Sequence, residues 1–244
     1  RSIENLTFYG DPVKILISAG ELSGDLHAAG VIKNLSKYGQ NIEFIHNGGR
    51  IYNAKLDIVG SFQSTNIIMT VAALTKFGID IQNIITHLHS VKAVCGRLER
   101  VTRKGYGYHV FVDYAHKPNA LESSLSELKT LCTGRLVVVF GCGGNRDTGK
   151  RKIMGEIAER LADIVIVTDD NPRMEDAGAI RKQVMEGCPN AIEVGSRGKA
   201  IAYGIGLMGS GDILLVAGKG HEDYQIIGTE KIHFDDIEEV RRYI

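Results

Sequence analysis

Downstream of Gly96 the chain alternates short, continuously apolar runs with longer stretches in which apolar residues recur every three or four positions. The runs at 110–112, 136–140, 164–168, 191–194 and 213–217 read as strands, and the stretches at 119–131, 152–161, 177–186 and 198–208 as helices. Strands such as VVVF, IVIV and ILLV carry no polar alternation, as expected where helices cover both faces of a sheet. Alternating strand and helix implies parallel βαβ units, so the fold class is α/β, a doubly wound, Rossmann-like and mostly parallel sheet. Upstream the pattern differs. Residues 13–19 form a β-rich run, and a helical pattern through Leu35 follows the stretch GELSGDLHAAG. Residues 42–46 and 51–59 read as a hairpin across Asn47-Gly48-Gly49. Helices are expected from Ser61 to Leu74 and over 81–88, separated by the break Gly78-Ile79-Asp80. The change of pattern places a boundary near residue 95.

Composition narrows the class. With 244 residues the chain allows one large or two small domains. Its 43% hydrophobic and 24% charged residues exclude a disordered polar chain. Lys plus Arg and Asp plus Glu are 29 each, so no net charge draws the chain to nucleic acid or an anionic membrane. Neither is expected as a partner. Cys95, Cys132, Cys142 and Cys188 lie far apart, which argues against a disulfide framework and against zinc. No apolar stretch approaches the ~18–20 residues of a membrane span and no signal pattern opens the chain. A soluble, cytoplasmic protein with reduced thiols is expected. The first residue is Arg1, which suggests that sequence upstream is missing.

Ligands of open α/β sheets bind beyond the carboxyl ends of the strands. Those positions hold Asp113-Tyr114-Ala115-His116, Gly141 to Asp147, Asp169-Asp170-Asn171-Pro172-Arg173, and Gly218-Lys219-Gly220-His221-Glu222-Asp223. Any one of these could be ordinary turn chemistry, but four together favour a crevice. The stretch Gly144 to Arg151 resembles a phosphate loop, yet ends on Arg151 where a metal-binding hydroxyl would stand. Its glycines fit close backbone approach to a ligand, with Arg146 reaching a carboxylate or phosphate. Pro172 fits a plain turn. Equally, Asp170, Asn171 and Arg173 could read an ammonium and a carboxylate together, with Glu222 accepting a second ammonium. A zwitterion suits this set better than a nucleotide. His116 and His221 have no companions at metal-ligand spacing, so no metal site is assigned. His27, His87, His89 and His109 receive no role.

Six strings then stand in one order: Gly60-Ser61-Phe62-Gln63-Ser64-Thr65-Asn66, Gly96-Arg97-Leu98-Glu99, Asp113 to Pro118, Phe140 to Asp147, Asp170 to Arg173, and Ala217 to Gln225. In that order they resemble the Mur ligases, and among them the members that add meso-diaminopimelate. The resemblance runs from about Ile32 to the C-terminus. It implies a remnant of a central ATPase domain over 32–95 and a C-terminal amino-acid-binding domain over 96–244, with 1–31 of uncertain origin. It implies that Arg146, Asp170, Asn171, Pro172, Arg173, Gly218 and Glu222 bind the amino acid. Arg173 would match the distal carboxylate that lysine lacks. Asn66, Arg97, Asp113 and His116 would line the nucleotide side, and no residue here is given a bond-making role. The implied reaction is ATP-dependent amide ligation in peptidoglycan precursor synthesis, joining meso-diaminopimelate to UDP-N-acetylmuramoyl-L-alanyl-D-glutamate, with monomers as the acting form. ATP and Mg2+ would be held mainly by central-domain parts outside this sequence, as would the uridine nucleotide. The chain alone is therefore expected to be inactive.

Cys95, Lys117, Asn145 and Lys152 depart from the family pattern beside its motifs. Residues 14–27 separately resemble the opening strand and loop of lipid-A-disaccharide synthases, a likeness nothing downstream continues. The alternatives are a folylpolyglutamate-synthase-like ligase selecting glutamate, a non-catalytic amino-acid-binding relic, and lipid A glycosyltransfer.

Overall fold

The computed structural model describes residues 13–18, 27–36, 39–46, 50–56, 58–103 and 105–244. The chain divides into two compact units between Ala93 and Val94. Among the described residues no helix is long and apolar enough to cross a membrane.

In the first unit β1 (Val13–Ser18), β2 (His27–Ser36), β3 (Gly39–His46) and β4 (Arg50–Leu56) form an antiparallel sheet in chain order. β3 and β4 pair antiparallel, as the expected hairpin requires, while Asn47-Gly48-Gly49 lies outside the described residues. The helical pattern through Leu35 is a strand instead. Val13 pairs with Ile32 on one side of β2, and Val31 pairs with Glu43 on the other. An apolar run this short fits either period, and β-branched Val31 and Ile32 favour the pleated alternative once both sides are paired. β2 also spans the junction placed at residues 31 and 32. The lipid-A-like string lies partly outside the described residues. Helices α1 (Ser61–Lys76) and α2 (Ile81–Leu88) follow. Asp80 caps α2, accepting from the backbone of Gln82 at 2.8 Å and Asn83 at 3.3 Å. Ile81, Ile84 and Leu88, spaced for one helix face, join Leu56, Ile58, Ile68 and Val71 in this unit's core.

The second unit is the doubly wound sheet, in order β5-β6-β10-β7-β8-β9. Its strands are β5 (Glu99–Arg100), β6 (His109–Asp113), β7 (Leu136–Phe140), β8 (Ile164–Val167), β9 (Ile192–Glu193) and β10 (Ile213–Ala217). All run parallel except the edge strand β5. The helices are α3 (Pro118–Leu131), α4 (Lys150–Leu161), α5 (Ala177–Met185), α6 (Arg197–Gly206) and α7 (Asp236–Arg241), and β11 (Tyr224–Ile227) pairs with β12 (Glu230–His233). Every residue of β6, β7 and β10 is buried, as continuous apolar runs require. Because β10 returns to lie between β6 and β7, the strand order reverses there. Parallel strands place the carboxyl ends of β6, β7, β8 and β10 on one edge, and the four polar loops with them.

Candidate functional site

β6 ends at Asp113, which is 5% exposed. Its carboxylate accepts from the backbone of Leu98 at 3.2 Å and of Tyr114 at 2.8 Å, and from the Ser124 hydroxyl. Burial pushes this carboxyl up from the usual range, with those bonds opposing. Asp113 thus braces its loop from beneath. Beside it Tyr114 is half-buried, the Arg97 guanidinium 4.7 Å from its ring centre and the rings of His116 and His221 at 4.5 and 5.0 Å. His116 Nδ1 lies 2.8 Å from the Tyr114 carbonyl.

The loops after β7 and β8 are zipped together. Gly144 N donates to Asn171 O at 2.9 Å, and Arg173 Nη1 donates back to Gly144 O at 2.9 Å. Met174 N donates to Asn145 Oδ1 at 3.0 Å, and Asn145 N donates to Glu175. A Cβ on Gly144 would lie 1.9 Å from Pro172 O, so only glycine lets the loops approach this closely. Asn145 and Arg173 both take left-handed backbone, at φ 51° and 54°. Arg146, next to Asn145, is exposed and has no polar partner among the described residues.

The third group gathers on β10. Asn171, 3% exposed, accepts through Oδ1 from Ile226 N at 2.9 Å and from Lys219 Nζ at 3.1 Å, and donates to Glu222 at 3.3 Å. Glu222 also accepts from the Tyr114 hydroxyl at 3.4 Å. Lys219 is fully buried, its ammonium reaching Tyr224 O at 2.6 Å and Asp170 Oδ1 at 3.3 Å. Burial pulls that ammonium below the ordinary lysine range, while Asp170 pulls the other way. Beneath, Arg197 and Asp236 form a fully buried pair at 2.6 Å, and Arg197 also donates to Ala217 O at 3.0 Å, where the Gly218 turn (φ 123°) begins.

The structure therefore brings Asp170, Asn171, Pro172, Arg173, Gly218 and Glu222 into one network, with Arg146 on the loop zipped to it. Arg97, Asp113 and His116 gather around Tyr114. Asn66 lies exposed on α1 in the other unit. Sequence reading gave no role to Lys219, Tyr114, Glu175 and Arg197, and weighed Arg151 only against a phosphate loop. The first two stood inside quoted motifs, while Glu175, Arg197 and the bonds of Arg151 are recognisable only by partners distant in sequence. The glycine-rich stretch is no phosphate cradle. Lys150 Nζ donates to His116 O at 2.6 Å, and Arg151, where a metal-binding hydroxyl would stand, is buried. Among the described residues no three His, Cys, Asp or Glu side chains cluster as a metal would need.

A doubly wound sheet with charged loops at its switch point defines an α/β ligand-binding unit. The family model described as "Mur ligase, glutamate ligase domain" matches residues 96–220, and the chain belongs to the Mur ligases. It is 51% identical over 209 residues to the UDP-N-acetylmuramoyl-L-alanyl-D-glutamate--2,6-diaminopimelate ligase of Rickettsia bellii, covering 84% of this chain and 43% of that protein. The Mesorhizobium japonicum protein of the same name is 49% identical, covering 79% and 40%. The chain thus spans less than half the length of these relatives. A solved structure of a ligase of that name superposes with a TM-score of 0.64 at 34% identity, over 86% of this chain and 43% of that one. A folylpolyglutamate synthase of Mycobacterium tuberculosis, at 22% identity and a TM-score of 0.59 over 74% and 42%, shares the fold.

Proposed function

We propose that the second unit binds meso-diaminopimelate as the incoming amine of a ligase acting on UDP-N-acetylmuramoyl-L-alanyl-D-glutamate, as a monomer in the cytoplasm. In this reading residues 96–244 are the amino-acid-binding domain and residues 32–95 close the central domain. The observation that carries it is Arg173. Its Nη1 is held on Gly144 O, and its Nε and Nη2 make no hydrogen bond among the described residues. A planar fork held by one corner suits bidentate capture of a carboxylate. Arg146 on the zipped loop adds a second cation, while Glu222 and Asp170 supply carboxylates for an ammonium. Diaminopimelate presents both charges at each end. Lysine lacks the second carboxylate, and glutamate the second ammonium.

Arg97 and His116, arranged on Tyr114, would line the nucleotide, and Asp113 would shape their loop. ATP, when bound, supplies the phosphoryl group that activates a carboxylate toward an amine. This chain's part is to bind and orient that amine.

Calorimetric titration of the 244-residue chain with meso-diaminopimelate, L-lysine and L-glutamate tests the reading. Selective diaminopimelate binding supports it. Preference for glutamate would replace it with a folylpolyglutamate-type ligase, and binding of none of the three would overturn it. Arg173→Ala should weaken diaminopimelate binding by ~1.5–3 kcal/mol, the scale of a charged hydrogen-bonding partner. Unchanged affinity in that variant would remove Arg173 from the site.

A further inference from the structure

Arg151, the second residue of α4, is 1% exposed and bonds to three separate segments. Its Nη1 donates to Gln183 on α5 at 2.8 Å. Its Nη2 donates to Gly143 O at 3.1 Å and lies 2.9 Å from Glu175 Oε2. The Nε is buried without a partner. Glu175 completes the clamp, its other oxygen accepting from Asn145 N. Thus Gly143 and Asn145, both in the loop between β7 and α4, are tied to this ion pair, and Arg146 follows directly.

Burying an ion pair gives little net stability, since apolar side chains of similar volume often serve as well. What an apolar residue cannot supply is directed bonding to both loops at once. Two guanidiniums meant for one anionic ligand repel each other, and a clamp anchored on α4 opposes that repulsion in addition to the bonds that zip the loops. Arg151 and Glu175 contact the backbone of one loop and belong to or abut the other, without using Arg146 or Arg173.

We propose that Arg151, clamped by Glu175, is a positioning residue that sets the spacing of Arg146 and Arg173 and thereby the preference for a ligand with a distal carboxylate. This rests on the amino-acid-binding reading above. The test uses the full chain, titrated with meso-diaminopimelate and with L-lysine, alongside thermal unfolding. Glu175→Gln retains volume and an acceptor for Asn145 N but removes the charge facing Arg151. It should lose about tenfold in diaminopimelate affinity, the scale of one charged hydrogen bond. Any lysine binding should change less than about twofold, and the unfolding midpoint should fall by several degrees, because Arg151 is left buried without its counter-charge. Arg151→Met should behave alike, and the double variant should be no worse than either. If Arg151→Met fails to fold, Glu175→Gln decides alone. Undiminished diaminopimelate affinity in Glu175→Gln, or equal losses for both ligands, would overturn the positioning role while leaving the binding reading intact. A wild-type chain that does not prefer diaminopimelate would overturn both.

Discussion

Cys142 and Cys188 are buried thiols flanking α4, Cys142 Sγ lying 3.7 Å from Met154 Sδ and Cys188 Sγ 3.4 Å from Val184 O. Burial pushes them from the ordinary 9.0 up to about 11 and about 12. Below pH 9 folded and unfolded chains both keep these protons, so the thiols leave stability unchanged. Above it the unfolded chain releases them while the folded chain does not, and stability falls. The slope is up to about 1.4 kcal/mol per pH unit for each thiol until its folded value is passed. Lys219 acts oppositely: its lowered ammonium lets stability rise with pH between its folded value and the ordinary lysine range. Urea unfolding of wild type and of Cys142→Ala/Cys188→Ala from pH 8 to 11 isolates the thiols by difference. The wild type should lose stability more steeply, and parallel curves would refute the burial argument. The contrast between Lys219 and Arg173 shows what sequence could reach. Arg173 and its neighbours were legible because an acid, an amide and a guanidinium on one turn have obvious chemistry. Lys219 lay between two quoted glycines, yet its role comes from Asn171 and Tyr224, which no local pattern places beside it.

At the scale of elements, close crossings decide more than propensity does. Gly220 has φ 56°, and a Cβ there would lie 2.6 Å from Tyr114 Cβ and 2.7 Å from Gly96 O. Gly228, in the β11–β12 turn, has φ 60° but nothing within 4 Å of such a Cβ. Gly228→Ala should therefore cost only left-handed backbone strain, about 1–2 kcal/mol. Gly220→Ala should add overpacking of roughly 1–3 kcal/mol against loops that cannot retreat without moving Tyr114 and Arg97. Denaturant midpoints measured side by side check this, and equal losses would mean the loops yield freely. The strands and helices from β6 to β10 were readable because each buried run is long enough for its period to speak. β5 and β9 are two residues long, and β5 gave no signal. The hairpin β11–β12 and α7 also went unread, since β12 is wholly exposed and α7 has six residues. β2 was misread because its partners, not its own pattern, settle its conformation.

The chain divides into two compact units, and the described residues give each an apolar cluster of its own. The apolar cluster around Val112, Val139, Leu214 and Val216 is built from Val101 onward, while the cluster around Leu56, Ile68 and Ile84 ends at Ala93. Residues 94–244 number 151, a size that buries about 68–70% of its unfolded surface and commonly folds alone. All four strand-end loops, the zipped pair, the Arg151–Glu175 clamp and the Arg197–Asp236 pair lie inside this stretch. The bonds described for Asn171, Lys219 and Arg173 are made with residues of this stretch. Expressed by itself, the segment should unfold in one cooperative transition, with calorimetric and van't Hoff enthalpies agreeing. It should also bind meso-diaminopimelate within about twofold of the full chain, a difference under ~0.5 kcal/mol. A segment that folds but binds tenfold more weakly would assign part of the amino-acid pocket to residues 1–93. A segment that fails to fold would mean that the sheet depends on those residues for more than its own core supplies.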